Sequence, residues 1–117
     1  MTGVQTCALP ILGLIANCTP LWGTDYHSQY RQIYTDLLGP ERVEEGVMPY
    51  GDLVHSGATV TYGADLPGVD VDEVPPLIQI EAAVTRKRPG FPDDAPFVPR
   101  QRVGLADALR AYTINGA

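Results

Sequence analysis

Two short apolar runs flank a long helical stretch, and their spacing restricts the folds open to this chain. The first, residues 12–17, reads LGLIAN, and the second, residues 58–63, reads ATVTYG and is rich in β-branched side chains. Continuous apolar runs of this length are typical of strands buried on both faces. Residues 18–57 are long enough for a helical crossover, so we predict a parallel pair of strands with a right-handed connection.

The stretch between the runs carries the clearest helical pattern. Thr24-Asp25 can cap a helix, and the apolar residues that follow recur at helical spacing until Gly39-Pro40. We therefore predict a helix over 26–38. The other predicted elements are a short helix at 50–56 followed by a left-handed Gly57, a helix from Pro75-Pro76 that stops before Pro89, a proline-rich connector at 91–102, and a last helix at 105–112.

The charge balance excludes some classes of partner. Eight basic and fourteen acidic residues give a net charge of −6, so nucleic acids and anionic membranes would repel the chain. Five basic residues nevertheless gather late in the sequence, and we interpret them as part of a solvated face. They are Arg86, Lys87, Arg88, Arg100 and Arg102.

The cysteines and the first apolar run bear on the compartment. Cys7 and Cys18 are too few for a disulfide scaffold and lack zinc-site spacing, so we expect reduced thiols. Residues 8–16 are apolar but shorter than the roughly 20 residues that cross a bilayer. They also lack the preceding Lys or Arg of a signal peptide. We therefore expect a cytoplasmic protein.

The first eleven residues, MTGVQTCALPI, resemble the translation of a common short-read sequencing adapter. We therefore expect residues 1–11 to be an artefact of a metagenomic record and Cys7 not to be native. The native polypeptide is then expected to extend further upstream. The alternative is a genuine N-terminal strand.

The segment Gly63-Ala64-Asp65-Leu66-Pro67 places a carboxylate directly after the second predicted strand. Catalytic groups collect at the carboxyl edge of parallel strands in barrel enzymes because loops converge there. A carboxylate buried at such an edge needs a cation or several hydrogen-bond donors to stay ionised. The alternative is that Asp65 only forms a turn, as Asp often does.

Three segments, in order, resemble the metal-dependent amidohydrolase superfamily, specifically amidohydrolase family 3. They are residues 63–67 (GADLP), 80–86 (IEAAVTR) and 108–113 (ALRAYT). The family shows a Gly-Ser-Asp-x-Pro turn, a Gly-Ile-x-x-Ala-Val-Thr-Arg helix and an Ala-Leu-Arg-Ala-Tyr-Thr helix. Over residues 12–117, the resemblance implies an α/β fold made of the last two βα units, strands 7 and 8, of a (β/α)8 TIM barrel. A complete barrel takes about 250 residues, so the domain would be an incomplete fragment.

The resemblance also implies a chemistry. In that family the Asp after strand eight binds the metal and acts as general base, and this role falls on Asp65. The implied reaction is hydrolysis of an amide-type, non-peptide C–N bond in a small molecule, by water activated on one or two divalent ions, with zinc expected. The family's histidine ligands lie upstream, where this sequence has no counterpart. We therefore expect the fragment alone to be inactive and to hold no metal, since three or four ligands are usual for zinc.

Several other residues are candidates for smaller roles. Trp22 stands where many relatives have a histidine, and it either lines the substrate pocket or packs under the tyrosine-rich helix. His27 follows the first strand and is a candidate substrate contact. We expect His55 only to complement a helix dipole. Arg86 is interpreted as structural, through a salt bridge to an acidic neighbour.

A reading from a different functional class stays open. The chain could be a stand-alone small α/β binding or interaction module without catalysis, in which Asp65 is a turn residue. A folded, metal-free monomer would favour this alternative.

Overall fold

A computed structural model describes residues 11–117, and the predictions for residues 1–10 lie outside this range. The strands and helices, in chain order, are β1 (Ile15–Cys18), α1 (Tyr30–Leu38), α2 (Pro40–Gly46), α3 (Tyr50–His55), β2 (Thr59–Tyr62), α4 (Pro76–Thr85) and α5 (Leu105–Tyr112). Five short 3₁₀ turns accompany them, at Pro20–Gly23, Tyr26–Ser28, Val71–Glu73, Pro99–Gln101 and Ile114–Gly116.

The two strands pair in parallel, as predicted. Ile15 lies opposite Thr59 and Cys18 lies opposite Tyr62. One face of this sheet is covered, since Cys18 and Tyr62 are buried, whereas Ile15 on the other face is 60% exposed. The prediction that both strands are buried on both faces is therefore wrong.

The predicted fold class, two consecutive βα units of a (β/α)8 TIM barrel, is also wrong for the described residues. A βα unit needs a helix that packs its apolar stripe onto the sheet. Helix α1 has no buried residue, its Leu37 is 75% exposed, and it packs against α2. The described residues instead form a small, mainly helical domain around a two-stranded parallel sheet.

The main core lies between the covered face of the sheet and α3, α4 and α5. Its buried members are Cys18, Tyr50, Leu53, Val60, Tyr62, Ile80, Ala83, Val103, Ala108 and Ala111. Two smaller clusters flank it: one contains Leu21, Tyr26, Val69 and Ala82, and the other Val43, Val47, Phe97 and Val98. Three helices lie between β1 and β2 in the sequence. The one that contributes to the core under the sheet is thus the short α3 and not the longer α1.

The predicted helix at 26–38 is shorter than expected, because the chain kinks at its start. His27 and Ser28 have φ angles of 56° and 57°, so residues 26–28 form a separate 3₁₀ turn. Asp25 Oδ1 accepts a hydrogen bond from the backbone N–H of Arg31 at 2.8 Å, and α1 begins at Tyr30. Helix α2, which starts at Pro40, was not predicted.

The remaining element predictions are confirmed to within a few residues. The helices predicted at 50–56 and 105–112 correspond to α3 and α5, and the strand predicted at 58–63 corresponds to β2. Gly57 has a φ angle of 83°, the left-handed value predicted for it. Among the described residues, no helix combines the length and apolar character needed to cross a membrane.

Candidate functional site

The carboxyl ends of β1 and β2 bring two predicted site residues into contact. β1 leads into the 3₁₀ turn Pro20–Gly23, which carries Trp22, and β2 leads through Gly63 to Asp65. The indole Nε1 of Trp22 donates a hydrogen bond to Oδ2 of Asp65 at 3.0 Å, across 43 residues of sequence. The parallel pairing of the strands places both segments at one edge of the sheet.

The loop that carries Asp65 turns tightly around the carboxylate. Asp65 has a φ angle of 57°, a left-handed conformation that Asp adopts more readily than most residues. Its carbonyl accepts a hydrogen bond from Gly68 N–H at 2.6 Å. A Cβ atom at Gly68 would lie 2.8 Å from the Asp65 carbonyl oxygen and 3.3 Å from Trp22 Cζ2. Glycine at position 68 is therefore required by its close approach to the backbone carbonyl of Asp65.

Aromatic packing holds Trp22 in place. Its ring lies 5.0 Å from that of Tyr26 in an edge-to-face arrangement and 5.8 Å from that of Tyr30. The Tyr26 hydroxyl donates to Glu73 Oε2 at 2.5 Å, and burial together with this carboxylate raises the pKa of Tyr26 to about 12. Trp22 therefore packs against the tyrosine-rich segment and also presents its N–H to Asp65.

A buried glutamine, which the sequence analysis did not single out, supports the same turn. Gln79 of α4 is fully buried; its Oε1 accepts from Leu21 N–H at 3.1 Å and its Nε2 donates to the Glu73 carbonyl at 2.9 Å. One side chain thus joins the turn that carries Trp22 to the turn Val71–Glu73. The signal that could have found it is a lone amide in the otherwise apolar run PLIQI.

The two histidines stand apart from Asp65. His27 is exposed, and its ring lies 3.9 Å from that of Tyr26. It lines a cavity of about 210 Å³ together with Tyr26, Glu73 and Arg88. Within residues 11–117, no hydrogen bond links His27 to Asp65 or Trp22. His55 is exposed in the last turn of α3, the position for which a helix-dipole role was predicted.

The donor groups around Asp65 determine whether a metal ion fits there. Asp65 is exposed, and in the described part of the chain only its Oδ2 accepts a hydrogen bond, so Oδ1 fits one ligand position. Residues 11–117 contain no group of three or more His, Cys, Asp or Glu side chains that could hold a metal. These residues therefore fit one ligand of a metal site and do not complete it.

Arg86 has the structural role that was predicted, but within residues 11–117 it forms no salt bridge with an acidic neighbour. Arg86 is fully buried and donates to three backbone carbonyls, those of Phe97 at 2.8 Å, Met48 at 3.0 Å and Val47 at 3.1 Å. Its guanidinium also lies 5.6 Å from the centre of the Tyr50 ring. Burial lowers the pKa of Arg86 to about 10, so it remains charged at neutral pH. It acts as a structural centre that joins α4 to the segments 47–48 and 97.

Comparison with known proteins gives one partial match. No protein-family model matches the chain, and no solved structure matches it. An 80-residue stretch is 34% identical to Protein LONG AFTER FAR-RED 3 of Arabidopsis thaliana and covers 68% of this chain. The same stretch covers 13% of that plant protein, so the chain corresponds to a small part of the relative.

Proposed function

We propose that this chain is part of a metal-dependent hydrolase that cleaves an amide-type C–N bond of a small molecule, and that Asp65 supplies a metal ligand and the general base. The observation that carries the proposal is the hydrogen bond from Trp22 Nε1 to Asp65 Oδ2 at the carboxyl edge of the parallel strands. The resemblance of residues 63–67, 80–86 and 108–113 to amidohydrolase family 3 supplies the reaction class.

The hydrogen bond favours this proposal over the alternative that Asp65 is only a turn residue. An Asp that only shapes a turn typically bonds its carboxylate to backbone N–H groups a few residues away. Asp65 instead receives its side-chain donor from Trp22, 43 residues earlier. This tertiary contact fixes one carboxylate oxygen and leaves the other without a hydrogen bond in residues 11–117, and catalysis requires a carboxylate that is held in position in this way.

The chemistry assigned to this chain is proton transfer at the Asp65 carboxylate. A divalent ion held by Asp65 and by further ligands would lower the pKa of a water molecule toward about 7. The Asp65 carboxylate would then serve as the group that accepts a proton from that water and passes it to the leaving nitrogen. Trp22 keeps the carboxylate in one rotamer, and Trp22 and His27 are the proposed substrate contacts. The remaining ligands are proposed to come from outside residues 11–117, so the chain alone is expected to be inactive.

The thiol chemistry favours the expected compartment. Cys18 is a buried, free cysteine in the described part of the chain, and burial raises the pKa of its thiol to about 11. A protonated thiol of this kind is a packing residue and not a nucleophile. We keep the cytoplasm as the proposed location, because free thiols are usual in reducing compartments.

The decisive experiment recovers the genomic sequence around residues 12–117 and assays the protein it encodes. We expect a histidine pair upstream, bound divalent metal, and hydrolysis of some members of a panel of N-acyl amines. Asp65→Asn should abolish turnover, whereas Asp93→Asn, an exposed carboxylate without a hydrogen bond in residues 11–117, should leave it unchanged. A gene that begins at Met1, or an active Asp65→Asn enzyme, would refute the proposal and favour the stand-alone binding module.

A further inference from the structure

The late cluster of basic residues does not form the uniform solvated face that the sequence indicated. Arg86 is buried against carbonyls, Arg88 pairs with Asp94 at 2.5 Å, and Arg100 pairs with Asp52 at 3.2 Å. Lys87 and Arg102 remain, and neither comes within ion-pair distance of a carboxylate in residues 11–117. In a chain of net charge −6, Lys87 and Arg102 thus carry positive charges that no carboxylate in residues 11–117 pairs with.

These two cations line the same groove, whose volume is about 330 Å³. Its walls include Glu81, Val84, Lys87, Phe91, Pro92 and Arg102. Two other arginines in the described residues have no ion pair: Arg86 is buried against carbonyls, and Arg42 lies on α2, outside this groove. Lys87 and Arg102 are thus the two unpaired cations that share one concave surface.

Contacts with the backbone hold both cations in position. Lys87 Nζ donates to the carbonyl of Pro92 at 2.6 Å, and Arg102 Nε donates to the carbonyl of Thr85 at 3.3 Å. The other N–H groups of the Arg102 guanidinium make no hydrogen bond within residues 11–117. Because these acceptors are uncharged carbonyls, they orient Lys87 and Arg102 without neutralising them, and both positive charges stay available to an anion.

The groove also offers an apolar wall beside the cations. Phe91 is 52% exposed, and the Arg88 guanidinium lies 4.1 Å from the centre of its ring, a cation–π contact that helps to hold the ring in place. Val84 and Pro92 extend this surface. Glu81 lines the groove too, so the local balance is two positive charges against one negative charge.

We propose that this groove binds a small organic monoanion, a carboxylate carried on an aromatic or aliphatic body. The carboxylate lies between Lys87 and Arg102, and the apolar body packs on Phe91. The net local charge matches one negative charge, so a dianionic phosphate is disfavoured by Glu81. This site is separate from Asp65, and the proposal does not depend on the proposed hydrolase function.

The test is a titration of the 117-residue chain with benzoate, followed by amide chemical shifts in NMR spectra. We expect saturable binding with a dissociation constant on the order of 1 mM, the scale for so small a ligand at an open site. Binding should weaken as salt is added. Benzyl alcohol, which lacks the charge, and acetate, which lacks the apolar body, should bind more weakly.

Single substitutions test whether Lys87 and Arg102 each contribute to benzoate binding. Lys87→Gln and Arg102→Gln should each weaken benzoate binding about fivefold, as expected for one partly exposed charged contact. Arg102→Lys should retain most of the affinity, and Arg42→Gln should leave it unchanged. A thermal melt of each variant confirms that it is folded.

Three outcomes would overturn the proposal. The first is a linear, non-saturable response to benzoate. The second is an equal loss of affinity in Arg42→Gln, which would mean that binding follows overall charge. The third is tighter binding of phenyl phosphate than of benzoate, which would assign the groove to a dianion.

Discussion

Replacing Arg86 by methionine tests whether this buried cation organises the fold. Methionine keeps much of the volume of the side chain, but it cannot donate to the carbonyls of Val47, Met48 and Phe97. The Met48 carbonyl keeps the N–H of Tyr50 as a donor at 2.8 Å, so the carbonyls of Val47 and Phe97 are the two left unsatisfied. An unsatisfied buried polar group costs about 1–3 kcal/mol, so two cost roughly 2–6 kcal/mol. Removing a buried charge offsets part of this loss. We expect a net destabilisation of about 2–4 kcal/mol.

That loss is large compared with the stability of a typical domain, about 5–15 kcal/mol. Urea unfolding, followed by far-UV circular dichroism and by the fluorescence of Trp22, the single tryptophan, measures it. With a urea dependence of about 1–3 kcal/mol per molar, the midpoint should fall by roughly 2 M. Arg86→Lys should lie between wild type and Arg86→Met, because an ammonium keeps the charge but lacks the planar fork.

The matched control is Arg42→Met, which changes an exposed arginine without a polar contact in the described residues. Surface changes of this kind usually stay within about 0.5 kcal/mol. If Arg86→Met unfolds within about 1 kcal/mol of wild type, the three carbonyls do not depend on the guanidinium, and the structural role assigned to Arg86 is refuted.

Three further changes test the packing and the ionisation of the core. Gly23→Ala should destabilise the fold by about 1–3 kcal/mol in urea unfolding, because the new Cβ would lie 2.4 Å from Arg86 Nη1. The control Gly46→Ala should be neutral or stabilising, because the nearest atom to its Cβ would lie at 3.8 Å. Tyr62→Phe should leave the urea midpoint unchanged or raise it, because the buried Tyr62 hydroxyl has no hydrogen-bond partner in the described residues; a loss above about 1 kcal/mol would contradict this. Stability should fall as the pH rises above 10. Burial raises the pKa of Tyr26 to about 12 and that of Tyr62 further above its usual value. The unfolded state therefore loses these protons at a lower pH than the folded state does. A urea midpoint that does not fall between about pH 8 and 11 would exclude this explanation.

Helix bounds could be predicted from the sequence where the residues that set them are close together in the chain, and not where a more distant contact sets them. Helix α5 was predicted at its observed bounds, because its start, its apolar spacing and its end are all encoded within eight residues. The helix predicted at 26–38 was too long because apolar spacing alone cannot detect a kink. Asp25 caps the N–H of Arg31, six residues later, and this contact competes with continued helix.

The predicted fold class was wrong for a related reason. Apolar spacing predicted that α1 is an amphipathic helix, and amphipathic spacing by itself does not say which surface covers the apolar stripe. In the structure the sheet is covered by α3, α4 and α5, and α3 contributes Tyr50 and Leu53 to the core. Helix α1 packs on α2 and leaves Leu37 exposed. The resemblance to barrel enzymes covered short motifs, and motifs do not determine how the segments between them pack.

In the candidate site, the position of Asp65 could be predicted from the sequence, but its hydrogen bond with Trp22 could not. The edge position of Asp65 followed from strand order, because parallel strands end on the same side of a sheet. Its hydrogen bond with Trp22 depends on Tyr26 and Gln79, which fix the turn after β1 from two different elements. A contact that requires four residues from separate segments has no local pattern. The buried glutamine and the edge carboxylate therefore belong to one arrangement. Gln79→Leu should loosen the Trp22–Asp65 hydrogen bond, although Gln79 bonds to neither side chain, and faster solvent exchange of the indole Nε1 proton in NMR spectra would measure the loosening.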